Sequence, residues 1–104
     1  MWFGLNFTAM SKEETPEERR ERLRKQLDAF HDWPSAFTFK FVLPNDPARI
    51  AELKKLFGVG AEYSERQSRN GNYISFTIQE TLPSAEHVFV RYESASRIEG
   101  IMSL

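Results

Sequence analysis

Few side chains of this 104-residue sequence belong to the types that catalyse reactions or bind metals. The chain has no cysteine, and its two histidines, His31 and His87, are too few for a histidine-built metal site or a buried catalytic network. Asp28 stands one helical turn before His31 and is expected to form a local ion pair with it. Neither a nucleophile nor a glycine-rich phosphate loop accompanies this pair. We therefore predict a protein that is not an enzyme and that holds no metal and no cofactor.

The composition is typical of one soluble globular domain, with 40% hydrophobic and 28% charged residues. The formal net charge is -1, so no overall field recruits a polyanion or an acidic membrane. No apolar run approaches the roughly 20 residues that a membrane-spanning helix needs. The absence of cysteine suits a reducing compartment. These features predict a cytoplasmic protein without membrane contact.

A charged amphipathic helix is predicted at residues 15–32, ahead of the main domain. Thr15 as N-cap, Pro16 at the first helical position and Glu18 closing a capping box form a complete helix-start signature. The helix must end before Trp33-Pro34, because a residue preceding proline is pushed out of the α region. Acidic and basic residues are interleaved along the helix, which favours an ion-paired, solvated face over a nucleic-acid site.

The apolar side chains of this helix form one narrow stripe, Leu23, Leu27 and Phe30, which can close over the chain's own sheet or reach a second subunit. Residues 1–14 are predicted to be a flexible tail. Within it, Met10-Ser11-Lys12 is typical of a natural start, so residues 1–9 are expected to be an upstream extension or a poorly ordered segment.

Residues 34–104 begin with a strand and a helix. Alternating large apolar residues from Phe37 to Leu43 predict a central strand over the core. Asp46 as N-cap and Pro47 at the first helical position start a helix that should run from Ala48 to Phe57, with Gly58 as its C′ residue.

A β-hairpin follows. Asn70-Gly71 predicts a type I′ turn, and the strand after it presents Ile74, Phe76 and Ile78 to the core. Pairing through this turn places Glu65 and Gln67 on the same side, so the strand within Ala61–Arg69 must be an edge. A second helix capped by Ser84 and a last strand within Ile98–Leu104 complete the chain. The predicted fold class is α+β: a ferredoxin-like βαββαβ sandwich, with a four-stranded antiparallel sheet, two helices on one face and the extra N-terminal helix.

Three stretches carry a resemblance to a known family. Trp33-Pro34-Ser35-Ala36-Phe37-Thr38-Phe39-Lys40, Ser68-Arg69-Asn70-Gly71-Asn72-Tyr73 and the closing Met102-Ser103-Leu104 resemble the YbeD-like family of uncharacterised small bacterial proteins over roughly residues 33–104. The family is similar in fold to the ACT regulatory domain and implies no catalytic residues. The ACT likeness implies a candidate effector loop of Asp46, Ala48 and Arg49, although a Cβ at Ala48 hinders close backbone approach to a ligand.

A second alternative is RNA binding, because residues 69–76 partly match the RNP1 pattern of RNA-recognition motifs, which share this topology. The match lacks an aromatic residue at Gly71, and the predicted open face carries one stacking ring, Tyr73, where RNA binders usually have two or three. Nucleic acid is therefore the less favoured partner.

The favoured prediction is a small regulatory or protein-interaction module that acts through the open sheet face or the edge strand. Its partner is an unknown protein, a small-molecule effector or a second copy in a homodimer. The residues predicted to form the interaction surface are Leu23, Leu27, Phe30, Lys40, Arg66, Tyr73, Ser75 and Thr77.

Overall fold

A computed structural model of the chain describes residues 14–104. In chain order, the elements are α1 (Pro16–Phe30), β1 (Ser35–Pro44), α2 (Pro47–Lys55), β2 (Glu62–Gln67), β3 (Tyr73–Leu82), α3 (Ala85–Ala95) and β4 (Met102–Ser103). The four strands form one antiparallel sheet in the order β2-β3-β1-β4. This is the predicted α+β arrangement, with β1 central, β2 at an edge and an extra helix before the sheet. Of the predicted tail, residues 1–13 lie outside the described residues.

The core lies between the sheet and the helices. The inward side chains of β1 and β3 alternate with exposed ones, and Phe37, Phe39 and Phe41 are at most 6% exposed. The ring of Phe39 lies 5.2 Å from Phe57 and 5.1 Å from Tyr92, which is on α3. Edge-to-face and tilted contacts of this kind add to the hydrophobic free energy of burying the rings. The prediction that the Phe37–Leu43 segment is a central strand over the core is confirmed.

The start of α1 has the predicted capping box. The hydroxyl oxygen of Thr15 accepts a hydrogen bond from the Glu18 amide at 3.1 Å, and the Glu18 carboxylate accepts one from the Thr15 amide at 2.8 Å. The helix ends at Phe30, because His31 is already extended. For that reason the expected Asp28–His31 ion pair does not form: Asp28 accepts a hydrogen bond from Trp33 Nε1 at 2.9 Å, and His31 Nδ1 lies 2.9 Å from Ser35 Oγ.

The hairpin has the predicted register but a different turn. Glu65 pairs with Phe76 and Gln67 with Ile74, as the sequence predicts. The prediction of a type I′ turn centred on Asn70-Gly71 is wrong, since the Gly71 amide donates to the carbonyl of Ser68 at 3.0 Å and makes Arg69-Asn70 the central pair. Gly71 follows with φ of 77°, the left-handed conformation that glycine adopts readily. A side-chain bond from the Asn72 amide to Asn70 Oδ1, at 3.1 Å, favours this turn.

Two further boundaries differ from the predicted ones. Helix α2 ends at Lys55 rather than Phe57, and Gly58 is not in the left-handed conformation expected of a C′ glycine. Strand β4 contains only Met102–Ser103 within the predicted stretch Ile98–Leu104. Ser84 is the N-cap of α3 by position, but its hydroxyl contacts His87 Nδ1 at 2.9 Å and makes no capping hydrogen bond.

Candidate interaction surface of the sheet

The open face of the sheet is built by alternate residues of all four strands. Residues that pair directly share a face, and the pairing sets Arg66 beside Ser75, Ser75 beside Val42 and Val42 beside Met102 in one row. The next row contains Ser64, Thr77 and Lys40. Five of the residues predicted for the interaction surface are therefore neighbours on this face: Lys40, Arg66, Tyr73, Ser75 and Thr77.

The open face also has an apolar part that the sequence analysis did not assign. Met102 is 56% exposed and lies opposite Val42. The amide of Leu104 donates to the carbonyl of Lys40 at 2.9 Å, which continues the pairing and puts Leu104 on the same face. The period-two alternation of the last strand could have predicted this, once β4 was paired with β1. Tyr73 is the one aromatic residue among the described residues of this face, so RNA binding stays the alternative prediction.

The edge strand β2 is exposed along its whole length. All six residues from Glu62 to Gln67 have exposed side chains. The hydroxyl of Tyr63 donates to the carbonyl of Lys54 at 3.3 Å, and its ring lies 6.4 Å from Phe57. Burial, followed by the charge of Glu80, raises the pKa of Tyr63. These contacts hold the start of β2 against α2 while the free edge of the strand faces outward.

A buried ion pair lies beneath the entry to β2, and sequence reasoning missed it. Glu80 is the one charged residue among the buried residues of the described chain. It accepts hydrogen bonds from Arg91 Nε at 2.9 Å and from the Gly58 amide at 2.8 Å. Burial acts to raise the pKa of Glu80, but the hydrogen bonds from Arg91 and Gly58 outweigh it, so the pKa lies below its ordinary value. The sequence position of Glu80 could have predicted its burial, because it follows Ile74, Phe76 and Ile78 in the alternation that faces the core.

The predicted effector loop is occupied by contacts within the chain. Asp46 caps α2 by accepting a hydrogen bond from the Arg49 amide at 3.2 Å. The guanidinium of Arg49 pairs with Glu99 at 3.3 Å. Ala48 is exposed beside them. The three residues are close together as predicted, and ligand binding by this loop stays a prediction.

Leu23 and Leu27 do not lie on an exposed surface. They are 1% and 6% exposed and belong to the chain's own core, because α1 packs on α3. The sequence left open whether this helix packs on its own chain or on a second subunit, and in the structure it packs on its own chain. Phe30, the third member of the stripe, is 74% exposed, since the helix ends there.

Charged residues surround the contact between α1 and α3. Arg20 forms ion pairs with Glu86 and Glu93, and Arg24 Nη2 lies 2.8 Å from Glu86. The two guanidiniums lie 4.7 and 5.7 Å from the centre of the Phe89 ring. Hydrogen bonds from Arg24 and Arg20 hold the pKa of Glu86 below its ordinary value.

Residues 14–104 contain neither a metal-binding cluster nor a membrane-spanning helix. No group of three or more histidine or acidic side chains is placed to hold a metal ion. No helix in this part of the chain is long and apolar enough to cross a bilayer.

Comparison with known proteins identifies the family. A family described as "Protein of unknown function (DUF493)" matches residues 28–104. The chain belongs to this family. The DUF493 match is consistent with the predicted YbeD-like family and contains the whole sheet, α2, α3 and the last residues of α1. No curated protein and no solved structure matches the chain.

Proposed function

We propose that this DUF493 protein is a protein-interaction module that forms a homodimer through the edge of its sheet. In the dimer, β2 of one copy pairs with β2 of a second copy in antiparallel orientation and joins the two sheets. The observation that carries this proposal is the charge pattern of β2, which is complementary to itself under two-fold symmetry. An exposed edge strand is a template for such pairing.

The first support is the direction of the backbone groups. The Ser68 amide donates to the carbonyl of Tyr73 at 2.9 Å, so Ser68 points towards β3. Amide direction alternates along a strand, and the amides of Tyr63, Glu65 and Gln67 therefore point away from the sheet. These groups are free to pair with another strand.

The second support is the register in which two copies of β2 can pair through these outward backbone groups. A two-fold axis perpendicular to the sheet pairs residues of the same face, so it must pass midway between the two copies of one residue, which then lie opposite each other. An axis at Ser64 sets Glu62 opposite Arg66 of the partner, on both sides of the axis. The same axis sets Tyr63 opposite Glu65, where their outward amides and carbonyls exchange hydrogen bonds.

The neighbouring registers place the charged side chains of β2 less favourably. An axis at Glu65 places two glutamates directly opposite each other, and an axis at Arg66 does the same with two arginines; like charges in these positions are destabilising. An axis at Tyr63 forms no pair between Glu62 and Arg66. Each Glu62–Arg66 pair contributes ~0.2–1 kcal/mol, so the charges select the register and the backbone hydrogen bonds provide affinity.

Dimerisation also extends the open face. Arg66, Ser75, Val42 and Met102 form a row that ends at the β2 edge. In the register centred on Ser64, this row continues into the row of the second copy that begins with Glu62 and Gln79, and the joined face offers a further protein partner a wide surface. The fully exposed Val59, just before β2, lies towards the partner's hairpin in this register.

Sedimentation of the full chain over a range of concentrations tests the proposal. We expect a concentration-dependent dimer that Arg66→Glu weakens, because this substitution sets Glu62 opposite a second glutamate. Glu62→Arg should weaken it equally, because it sets two arginines opposite each other. The double variant Glu62→Arg/Arg66→Glu exchanges the charges and should restore the dimer.

The matched control is Arg97→Glu, an exposed charge reversal in the loop between α3 and β4, on the opposite side of the sheet from β2. A wild-type protein that stays monomeric at millimolar concentration would refute the proposal. So would a dimer whose strength is unchanged by both single variants.

A further inference from the structure

We infer that the face of α3 covered by α1 is a docking site for a basic amphipathic helix of a partner protein, and that α1 is a tethered helix occupying it. This inference does not depend on pairing through β2, because α3 lies in the helical layer and β2 at the edge of the sheet.

The composition of the contact between α1 and α3 is the first step. Leu23 and Leu27 form a buried apolar centre. Around it, Arg20 and Arg24 pair with carboxylates and lie over the ring of Phe89. A buried apolar centre with a partly exposed rim of charge, and arginines on an aromatic ring, is the anatomy of a protein–protein interface.

The family boundary is the second step. The DUF493 match begins at Asp28, so the described part of α1 up to Leu27 lies outside the family domain, whereas α3 lies inside it. The face of α3 thus lies within the residues that match the family, and the part of α1 that covers it lies before them. The segment from His31 to Pro34 connects the two without any helix or strand.

The chemistry of the site defines its ligand. Glu86 and Glu93 of α3 are acidic and flank Phe89. They select a helix with two basic residues one turn apart, and the apolar centre selects two large aliphatic residues one turn apart on the same side. Residues 20–27 of α1 have this pattern, Arg-x-x-Leu-Arg-x-x-Leu. A partner helix must displace α1, whose tether gives it an effective concentration in the millimolar range.

Binding of a labelled peptide of residues 15–31 tests the inference, with the peptide acting as the partner helix. The double variant Leu23→Asp/Leu27→Asp in the full chain should empty the site. We expect this variant to bind the peptide at least ~10-fold more tightly than the wild type, since the tethered competitor is disabled. Saturating peptide should raise its melting temperature by ~10 °C.

Two controls isolate the site. Gln26→Asp/Ala29→Asp adds the same two negative charges at exposed positions of α1 and should leave peptide binding as weak as in the wild type. A peptide with both leucines replaced by aspartate should bind the emptied variant more than ~100-fold more weakly. Added salt should weaken the intact peptide, because its arginines pair with exposed carboxylates.

Three results would overturn the inference. The first is a folded Leu23→Asp/Leu27→Asp variant that does not bind the peptide. The second is a variant that is unfolded and is not restored by the peptide, which would make α1 an integral part of the core. The third is a wild-type dimer that the same double variant abolishes while Arg66→Glu leaves it intact, which would make α1 of a second copy the occupant.

Discussion

The amide of Gly58 lies 2.8 Å from a carboxylate oxygen of Glu80 and donates a hydrogen bond to it. Arg91 binds the same carboxylate through Nε and Nη2, at 2.9 and 3.2 Å. One side chain of β3 therefore fastens the loop after α2 and a residue of α3 at the point where the chain enters β2. We therefore expect the position of the edge strand to depend on the buried Glu80 carboxylate.

A methyl group at Gly58 should disturb this contact. A Cβ built on Gly58 would lie 2.7 Å from Glu80 Oε2, so the carboxylate must move away from its amide donor. We expect Gly58→Ala to lower the free energy of unfolding by ~1–3 kcal/mol, the cost of overpacking and a lost hydrogen bond. Urea denaturation followed by circular dichroism measures this.

Gly60→Ala is the matched control, since a Cβ there meets no atom within 4 Å and the backbone is not left-handed. It should be neutral or stabilising by up to ~1 kcal/mol. Equal effects of the two substitutions would contradict the structural role of Gly58.

The Glu80 pair should also make stability depend on pH. The pKa of Glu80 in the folded protein lies below its ordinary value, so folding favours the charged form. Its contribution is fully present above the unfolded pKa, about 4.3, and is lost as the pH falls through the lower folded value. We expect the wild type to exceed Glu80→Gln in free energy of unfolding by a constant amount at about pH 6–8, and by less below about pH 4.

Urea titrations of both proteins at a series of pH values measure this difference. Other acidic groups, such as Glu86, affect both proteins alike and cancel. A difference that stays constant down to about pH 3 would mean that Glu80 does not titrate with the shifted pKa.

Helix capping provides a further test, because the two hydroxyl-bearing N-cap residues, Thr15 and Ser84, make different hydrogen bonds. Thr15 makes a reciprocal capping box, whereas the hydroxyl of Ser84 is bound to His87. Thr15→Ala should destabilise the protein by ~1 kcal/mol. Ser84→Ala should cost clearly less, as no backbone amide loses its partner. Thermal unfolding of the two variants compares them, and a larger loss for Ser84→Ala would show that its hydroxyl has a role beyond capping.

The fold was predictable because its signals are local and repeated. Period-two alternation at Phe37, Phe39 and Phe41 and the capping residues Thr15 and Asp46 each depend on a few neighbours. The ends of elements were less predictable. The turn at Arg69-Asn70 depends on a side-chain hydrogen bond from Asn70, and α2 stops at Lys55.

The candidate site was predictable only where it depends on local patterns in the sequence. Lys40, Arg66, Ser75 and Thr77 share a face because strand register follows from the hairpin. The Glu80–Arg91 pair joins two elements, and no local pattern of charges indicates which acidic residue meets which basic one. The burial of Leu23 and Leu27 likewise depends on the packing of α1 on α3. An apolar stripe on one helix does not indicate which element it packs against.

The substitution Glu65→Pro should disrupt the proposed dimer without unfolding the protein. The Glu65 amide points away from β3, so its loss removes a hydrogen bond across the proposed dimer and none within the sheet. We expect Glu65→Pro to remain folded, with a melting temperature within a few degrees of the wild type, and to be monomeric in sedimentation. Ser64→Pro is the control: its amide points towards β3, and the substitution should strongly destabilise the sheet. A folded Glu65→Pro protein that dimerises as the wild type does would show that β2 is not the interface, because no antiparallel partner can use the missing donor.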